Sequence, residues 1–568
     1  MVIRIADNIL SPLGESTAQN YEAVKEGRTQ LRRYEQYEGI PEPFTASMFT
    51  ASQWRQLAVE GMTRFESLAF RSAQKAIRDA AIDVTAPNVL FVLSTTKGNI
   101  EQLSQNTSSI HQSLSTLATA LGIQTEPIGV CNACISGVSA IILAMRLLES
   151  RVYDYAVVTG ADILTPFVIS GFQSLKALSA DACRPFDIER LGLNLGEAAA
   201  TIVLQRCEAA DADSHAWQFA AGAVRNDGFH ISSPSKNGEG LRLALEAAGA
   251  PSVSEQMAFI NAHGTATMFN DQMESVAIER AGLTALPVNA LKGYFGHTLG
   301  AAGIMETILS MAAVDDHTVL GTKGYTERGV SGKILLSAEN SQTNRPGFIK
   351  TISGFGGCNA ALVATHLSPS PSPSPSHVTS LSPLTSHNVK ITPTSATVDG
   401  QPLACEGEGM ALLTDLYKRY IGDYPKFYKM DALSRLGFVA SELLLQAEAD
   451  RRGLPRTDRA IVLFNRSSSI QADLSYLASI QDPENYFPSP SAFVYTLPNI
   501  VTGEIAIRNG YQGETSFYIL PERDDELMNR MIRASFMDEA TGSMIGGWID
   551  CEDGQQFMAD LCIIERSK

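Results

Sequence analysis

The 568-residue chain is poor in cysteine, tryptophan and positive charge, and each shortage removes a class of function. Eight cysteines are too few for a disulfide-built scaffold of this length. Only Cys131 and Cys134 form a CxxC pair, and no second CxxC or HxxxH supplies the further ligands a zinc site needs. A thioredoxin-type redox pair would carry proline or glycine between its cysteines, where this one carries Asn132 and Ala133. Lysine and arginine number 44 against 61 acidic residues, a formal charge of −17 with no dense basic run. Nucleic acid is thereby excluded as the main partner, because phosphate binding needs a basic footprint. A local basic patch for an acidic protein is still compatible with that balance. No apolar run is long enough to span a bilayer. The opening "MVIRIADNILSPLGE" has no basic flank followed by a signal-type apolar core. The expectation is a cytoplasmic protein without a membrane span.

What the chain does have is material for large cores: 44% of its residues are hydrophobic, and its length suits two to four domains. One stretch cannot join a core. In "LSPSPSPSPSHVTSLSPLTSHNVKITPTSATVDGQPL" (367–403) alternating prolines lack the N–H and fix φ, so the segment reads as an extended tether between units 1–366 and 404–568. In the first unit, short apolar runs at 89–95, 155–162, 199–205, 258–264 and 360–366 alternate with helical-period stretches such as 137–150 and 301–314. That is an α/β pattern with a buried sheet, and such folds place catalytic groups at strand ends. The second unit echoes the first. "MDALSRLGFVASELLLQ" followed by "DRAIVLFNRSSSI" (430–446, 458–470) repeats the order and spacing of "FESLAFRSAQKAIRDA" and "APNVLFVLSTTKGNI" (65–80, 86–100).

The stretch "GVCNACISGVSAII" (129–142) sets Cys134 at the start of an apolar helix. There the positive end of the helix dipole is expected to lower the thiol's pKa, and backbone N–H groups can hold an oxyanion. Cys131, on the incoming strand, reads as packed; on this stretch alone both could be plain buried thiols. "NAHGTATMFNDQMES" (261–275) puts His263 directly after an apolar strand, and "NALKGYFGHTLGAAGIMETI" (289–308) puts His297 in a glycine-rich loop, five residues after Lys292 and nine before Glu306. One histidine after a strand is ordinarily structural. Two of them with a helix-start cysteine form a constellation for nucleophilic chemistry.

These residues resemble the decarboxylating β-ketoacyl-acyl carrier protein synthases, condensing enzymes of the thiolase-like superfamily. "NACISG" (132–137) is similar to their nucleophile motif, "AHGTATMFND" (262–271) to their AHGT-x-T-x-x-ND motif, and "LKGYFGHTLGAAGIME" (291–306) to K-x-x-x-GH-x-x-GAAG-x-x-E. "CRPFDIERLGLNLGEAAATIVL" (183–204) and "ISGFGGCNAALV" (352–363) resemble two further segments in the right order. The resemblance implies an α/β thiolase-like fold of duplicated αβαβα layers for 1–366. It implies Cys134 as nucleophile and His263 and His297 as hydrogen-bond donors to the malonyl thioester. Lys292 and Glu306 would pair to set the His297 loop, Thr265 and Thr267 would bind pantetheine amides, and Phe355 would gate the acyl pocket and lend its N–H to the oxyanion. The substrate would arrive as phosphopantetheine thioesters on acyl carrier protein, with no metal or cofactor of the enzyme's own. Arg64 and Arg184 are candidates for carrier docking, Arg184 competing with a salt bridge to Asp187 or Glu189.

Three features depart from the family pattern. Cys358 stands where threonine is usual, which raises a thiolase-like alternative with a late acid/base cysteine. Gly293-Tyr294-Phe295 is bulkier than usual before the Gly-His pair. The third departure is the second unit, where "YKMDALSRLG" (428–437) and "FVYTLPNIVTGEIAIRNGYQGE" (493–514) match segments that precede the nucleophile, and counting twelve residues past Gly510 reaches Glu522, not cysteine. The unit is therefore expected to be a catalytically dead half-copy whose face towards its missing half is left exposed and needs a partner. A homodimer, or a heterodimer with another synthase-like subunit, is expected. The alternative for the whole chain is a non-catalytic, chain-length-factor-like partner subunit.

Overall fold

The computed structural model describes residues 1–105, 109–208, 215–367, 384–451 and 454–566. The first unit is built on two sheets. In one, the strands run in the order Val2–Leu10, Ala198–Arg206, Tyr155–Asp162, Val89–Ser94, Ile128–Val130, the last three parallel to one another. In the other, the order is Trp217–Asn226, Cys358–His366, Gly347–Gly354, Met257–Asn261, Pro287–Asn289, Leu335–Leu336. Two helices, Ser136–Glu149 and Ala302–Asp315, pack on each other and on strands of both sheets. Their sequences are apolar on every side, and nearly every residue of both is buried, as a helix sandwiched between layers requires.

The second unit repeats the first sheet. Leu384–Thr392, Phe557–Glu565, Ser543–Cys551, Arg459–Asn465 and Thr515–Ile519 lie in that order with the same strand senses. Register makes the equivalence residue by residue. Val92 lies opposite Ile128 and Val158, as Val462 lies opposite Ser516 and Gly546, and both valines face the same core. The two sheets then join through equivalent strands, Val130 opposite Tyr518 and Gly129 opposite Ile519, antiparallel about a local two-fold. Carried four residues past Val130 and its equivalent Tyr518, that register sets Glu522 at the position of Cys134, as counting from Gly510 does.

Two expectations need correction. The Ser-Pro repeat lies outside the described residues, but the second part of the supposed tether is folded: Leu384–Thr392, Ser395–Val398 and Gln401–Pro402 form an antiparallel meander. Val389, Ile391 and Ala396 bury themselves in alternation with Ser, Thr and Lys, a period-2 signal hidden by polar composition. The second correction concerns the exposed face. Helix Asp525–Ser535 takes the place that Ser136–Glu149 takes in the first unit, yet its outward side carries Glu526, Asn529, Arg530 and Arg533, all exposed, while Leu527, Met528, Met531, Ile532, Ala534 and Ser535 are buried. The face towards the missing half is polar and stands in water.

The contact between the units is deeply buried. Arg146 pairs with Glu514 at 2.8 Å, Arg225 with Asp538 at 2.5 Å and Lys97 with Asp473 at 3.2 Å, each with one partner in each unit. Phe493 and Tyr476 of the second unit share a core with Phe167 and Phe172 of the first. No described helix is long and apolar enough to cross a membrane.

Candidate active site

Cys134 sits in a single 3-10 turn, Ala133–Ile135, between strand Ile128–Val130 and helix Ser136–Glu149. The chain turns sharply because Ala133 takes φ +48°, and the turn is tied by Asn132 N–H donating to Ser136 Oγ at 2.8 Å and Ser136 Oγ donating to the Ala133 carbonyl at 2.6 Å. His263 follows strand Met257–Asn261, and His297 follows the short helix Lys292–Phe295. The thiol and imidazole nitrogens of Cys134, His263 and His297 lie within 4.8 Å of one another, and the two rings meet edge to face at 5.0 Å.

Burial first, then the Lys292 charge, holds both histidines well below the ordinary imidazole pKa, so both are neutral. His297 Nδ1 accepts the Leu299 N–H at 3.3 Å, which leaves the proton on Nε2, buried and without a partner among the described residues. Burial also pushes the Cys134 thiol up to about 12, with Lys292 opposing. The lowered pKa expected from the helix start is thus reversed by desolvation: the resting group is a thiol. The spacing of the three side chains would suit metal ligands, but a cation there would face the charges of Lys292 and Lys350, which already disfavour a protonated imidazole.

Behind the histidines lies a buried charge cluster. Lys292 Nζ donates to Glu306 at 2.7 Å and to the His263 carbonyl at 2.6 Å, and Lys350 Nζ donates to the other Glu306 oxygen at 2.5 Å. One carboxylate between two ammonium groups stays ionised despite burial. Thr265 and Thr267 share a hydrogen bond at 2.9 Å. Both threonines line, with Cys134, His263, His297 and Phe355, a cavity of about 340 Å³. Phe355 opens the turn between strands Gly347–Gly354 and Cys358–His366, and a Cβ on Gly354 would stand 3.2 Å from the Cys134 nitrogen. The backbone of that turn therefore lies against the nucleophile.

Other candidates lie elsewhere. Cys131 is buried with Sγ 3.2 Å from the Thr95 carbonyl, and Cys358 contacts the Phe355 carbonyl at 3.2 Å; neither lines the cavity. Tyr294 and Phe295 pack locally in the core, Tyr294 Oη on the Gly321 carbonyl at 2.9 Å. Arg64 is paired with Glu101, and Arg184 with Asp187, Glu189 and Thr326, both away from the cavity lining.

Four supporting acids and bases escaped sequence reading. Lys350 sits in a strand. Asp162 accepts the Gly300 N–H at 2.7 Å and the Thr96 N–H at 3.0 Å, fixing the end of the His297 loop. Glu274 accepts the N–H groups of His263 and Gly264, both at 2.7 Å, and Asp271 those of Phe186 and Ala266. The three acids hold backbone N–H groups, which no side-chain motif advertises, and Lys350 pairs with Glu306.

Residues 5–210 match the β-ketoacyl synthase N-terminal domain model and residues 218–326 its C-terminal domain model, together more than half of the chain. A 3-oxoacyl-acyl-carrier-protein synthase 2 of Vibrio cholerae is 26% identical over 406 residues, covering 62% of this chain and 96% of the relative. The protein of that name from Rhizobium meliloti is 34% identical over 253 residues, covering 41% and 59%. Among solved structures, the PfaC keto synthase–chain length factor superposes with a TM-score of 0.73 at 13% identity, covering 100% of this chain and 78% of that one. A β-ketoacyl synthase from Burkholderia phymatum gives 0.57 at 23% identity, covering 65% and 99%.

Proposed function

Because the chain belongs to the β-ketoacyl synthase family and carries its thiolase-like fold, we propose that it joins an acyl thioester to a malonyl unit by decarboxylative condensation, with Cys134 as nucleophile. The observation that carries this reading is the pair of buried, neutral imidazoles beside a buried thiol, one of them with an unpartnered Nε2–H. In the first half-reaction Cys134 attacks the acyl carbonyl, the phosphopantetheine thiol leaves with the proton, and the N–H groups of Cys134 and Phe355 hold the transient oxyanion. In the second, His263 and His297 donate hydrogen bonds to the malonyl thioester oxygen. The enolate formed as CO₂ departs is thereby stabilised, and its carbon displaces the enzyme thiol to give the β-ketoacyl thioester. Neutral donors suit this role because they place no full charge in the site before the enolate forms. Thr265 and Thr267 bind the pantetheine arm at the cavity wall, and the Lys292–Glu306–Lys350 cluster fixes the carbonyl that follows His263. Acyl carrier protein presents both thioesters, in the cytoplasm.

The second unit occupies the strand edge at Ile128–Val130 where a second synthase subunit would pair, so we assign it the place of a partner subunit within one chain. Light scattering should find no dimer formed through that edge. The function is tested by intact-mass spectrometry after incubation with a panel of acyl-carrier thioesters, followed by peptide mapping. One acyl adduct on Cys134 is expected. A folded protein that takes no adduct from any donor would instead be the non-catalytic partner subunit.

A further inference from the structure

The second unit has no cysteine at the position matching Cys134, yet it touches the backbone around that residue of the first. Asn499, 1% exposed, stands just before helix Ile500–Asn509, and its Nδ2 donates to the Phe355 carbonyl at 2.9 Å. The start of the same helix lies against the Phe355-Gly356-Gly357 turn. A Cβ on Gly356 would come 2.7 Å from Asn499 Nδ2, and a Cβ on Gly503 would come 2.7 Å from the Gly356 carbonyl oxygen. Gly356 and Gly357 take φ +90° and +74°, so the turn depends on glycine and has little side chain of its own to brace it. From strand Thr515–Ile519, Phe517 N–H donates to Asn132 Oδ1 at 2.7 Å, and the Phe517 carbonyl accepts the Cys131 N–H at 3.1 Å. Both turns that carry the oxyanion donors are held from the second unit.

Resting on the reading of Cys134 as nucleophile with the Cys134 and Phe355 N–H groups as oxyanion donors, we propose that Asn499 is a positioning residue. Its amide fixes the Phe355 turn against Cys134, and the dead half-copy is retained as an internal brace for acyl transfer. Preorganisation is the reason a brace matters: donors stabilise a developing oxyanion only when already aimed at it, and losing one outright costs about 10²–10³-fold. A donor displaced but present should cost less, about 10- to 100-fold.

The test uses the full chain with hexanoyl-pantetheine for acylation of Cys134 and malonyl-pantetheine for decarboxylation, which depends on the histidines. Asn499→Asp keeps the shape, loses the N–H donors and turns a carboxylate towards the Phe355 carbonyl; Asn499→Ala removes the group. Acylation is expected to slow about 10- to 100-fold with KM unchanged, Asn499→Asp at least as much as Asn499→Ala, while decarboxylation stays within about twofold. Gly503→Ala, which presses on Gly356 without altering any donor, should slow acylation in the same direction and serves if the Asn499 variants do not fold. Acylation at the wild-type rate in Asn499→Asp, or a parallel fall in both reactions, overturns the brace. Failure of the wild type to acylate overturns the nucleophile reading first and the brace with it.

Discussion

Helices Ser136–Glu149 and Asp525–Ser535 hold equivalent places in two copies of one half-fold, and their sequences have gone opposite ways. Where the first has Gly137, Val138, Ile142 and Met145 buried, Val138 and Ile142 against the second layer, the equivalent positions of the other are Asp525, Glu526, Arg530 and Arg533 in water. A Cβ on Gly137 would lie 2.9 Å from the Ile304 nitrogen; at Asp525 a whole side chain stands exposed. The copy was not left with a raw apolar face when its second layer was absent. Its outer stripe is polar, while the face towards the catalytic unit kept its leucine, methionines and isoleucine.

The largest separation between the copies is chemical. Cys134→Ala should remove acyl-enzyme formation and lower turnover by more than about 10³-fold. Glu522→Ala, at the matching position of the copy, should leave both unchanged, as should Cys131→Ala. Mass spectrometry of the acyl adduct reads all three, and a loss on Glu522→Ala would mean that the copy's degenerate turn takes part in the reaction. The next separation is energetic. Glu514→Ala strands Arg146 in the buried contact between the units and should cost about 3–5 kcal/mol. Glu526→Ala removes an exposed partner of Arg530 on the copy's outer face and should cost under about 0.5 kcal/mol. Denaturant midpoints compare the two; equal values would mean that the contact between the units adds nothing to stability.

Motifs made the reacting groups legible and left their supports hidden. Cys134, His263 and His297 each stand in a short pattern of small residues that few structures tolerate for other reasons. Lys350 gave no such signal, because a lysine within "GFIKTISG" reads as the solvent-facing member of an alternating strand, and only the opposing Glu306 shows that it is buried. Asp162 and Glu274 hold loops through backbone N–H groups more than a hundred and about ten residues away, respectively, so spacing alone assigns them no partner. The duplication was readable from helix and strand order, but its beginning was not: "LTSHNVKITPTSATV" carries its strand alternation beneath serine and threonine. The brace at Asn499 was invisible, since its partner is the main chain of another unit.

The smallest effect tests the neutral imidazoles. In the folded chain His263 and His297 resist protonation, whereas in the unfolded chain each takes a proton near pH 6.5. Their folded pKa values are lowered, so the unfolded state binds more protons below pH 6.5 and stability falls with pH there, while above it nothing is lost. Between pH 6.5 and 5.5 each should cost about 1 kcal/mol, and His297→Asn should remove its own share. Among the described residues the copy has no buried histidine, so the histidine share of the slope belongs to the catalytic unit, while the buried carboxyls of Asp271 and Asp431, each pushed up to about 6 by burial, work against it in the same range. Malonyl decarboxylation over the same range should show no limb at pH 6.5, because the donors are already neutral. A rate that drops with an apparent pKa of 6.5 would mean that an ordinary, solvated imidazole does the work, and the burial that distinguishes this site from its copy would then have no part in catalysis.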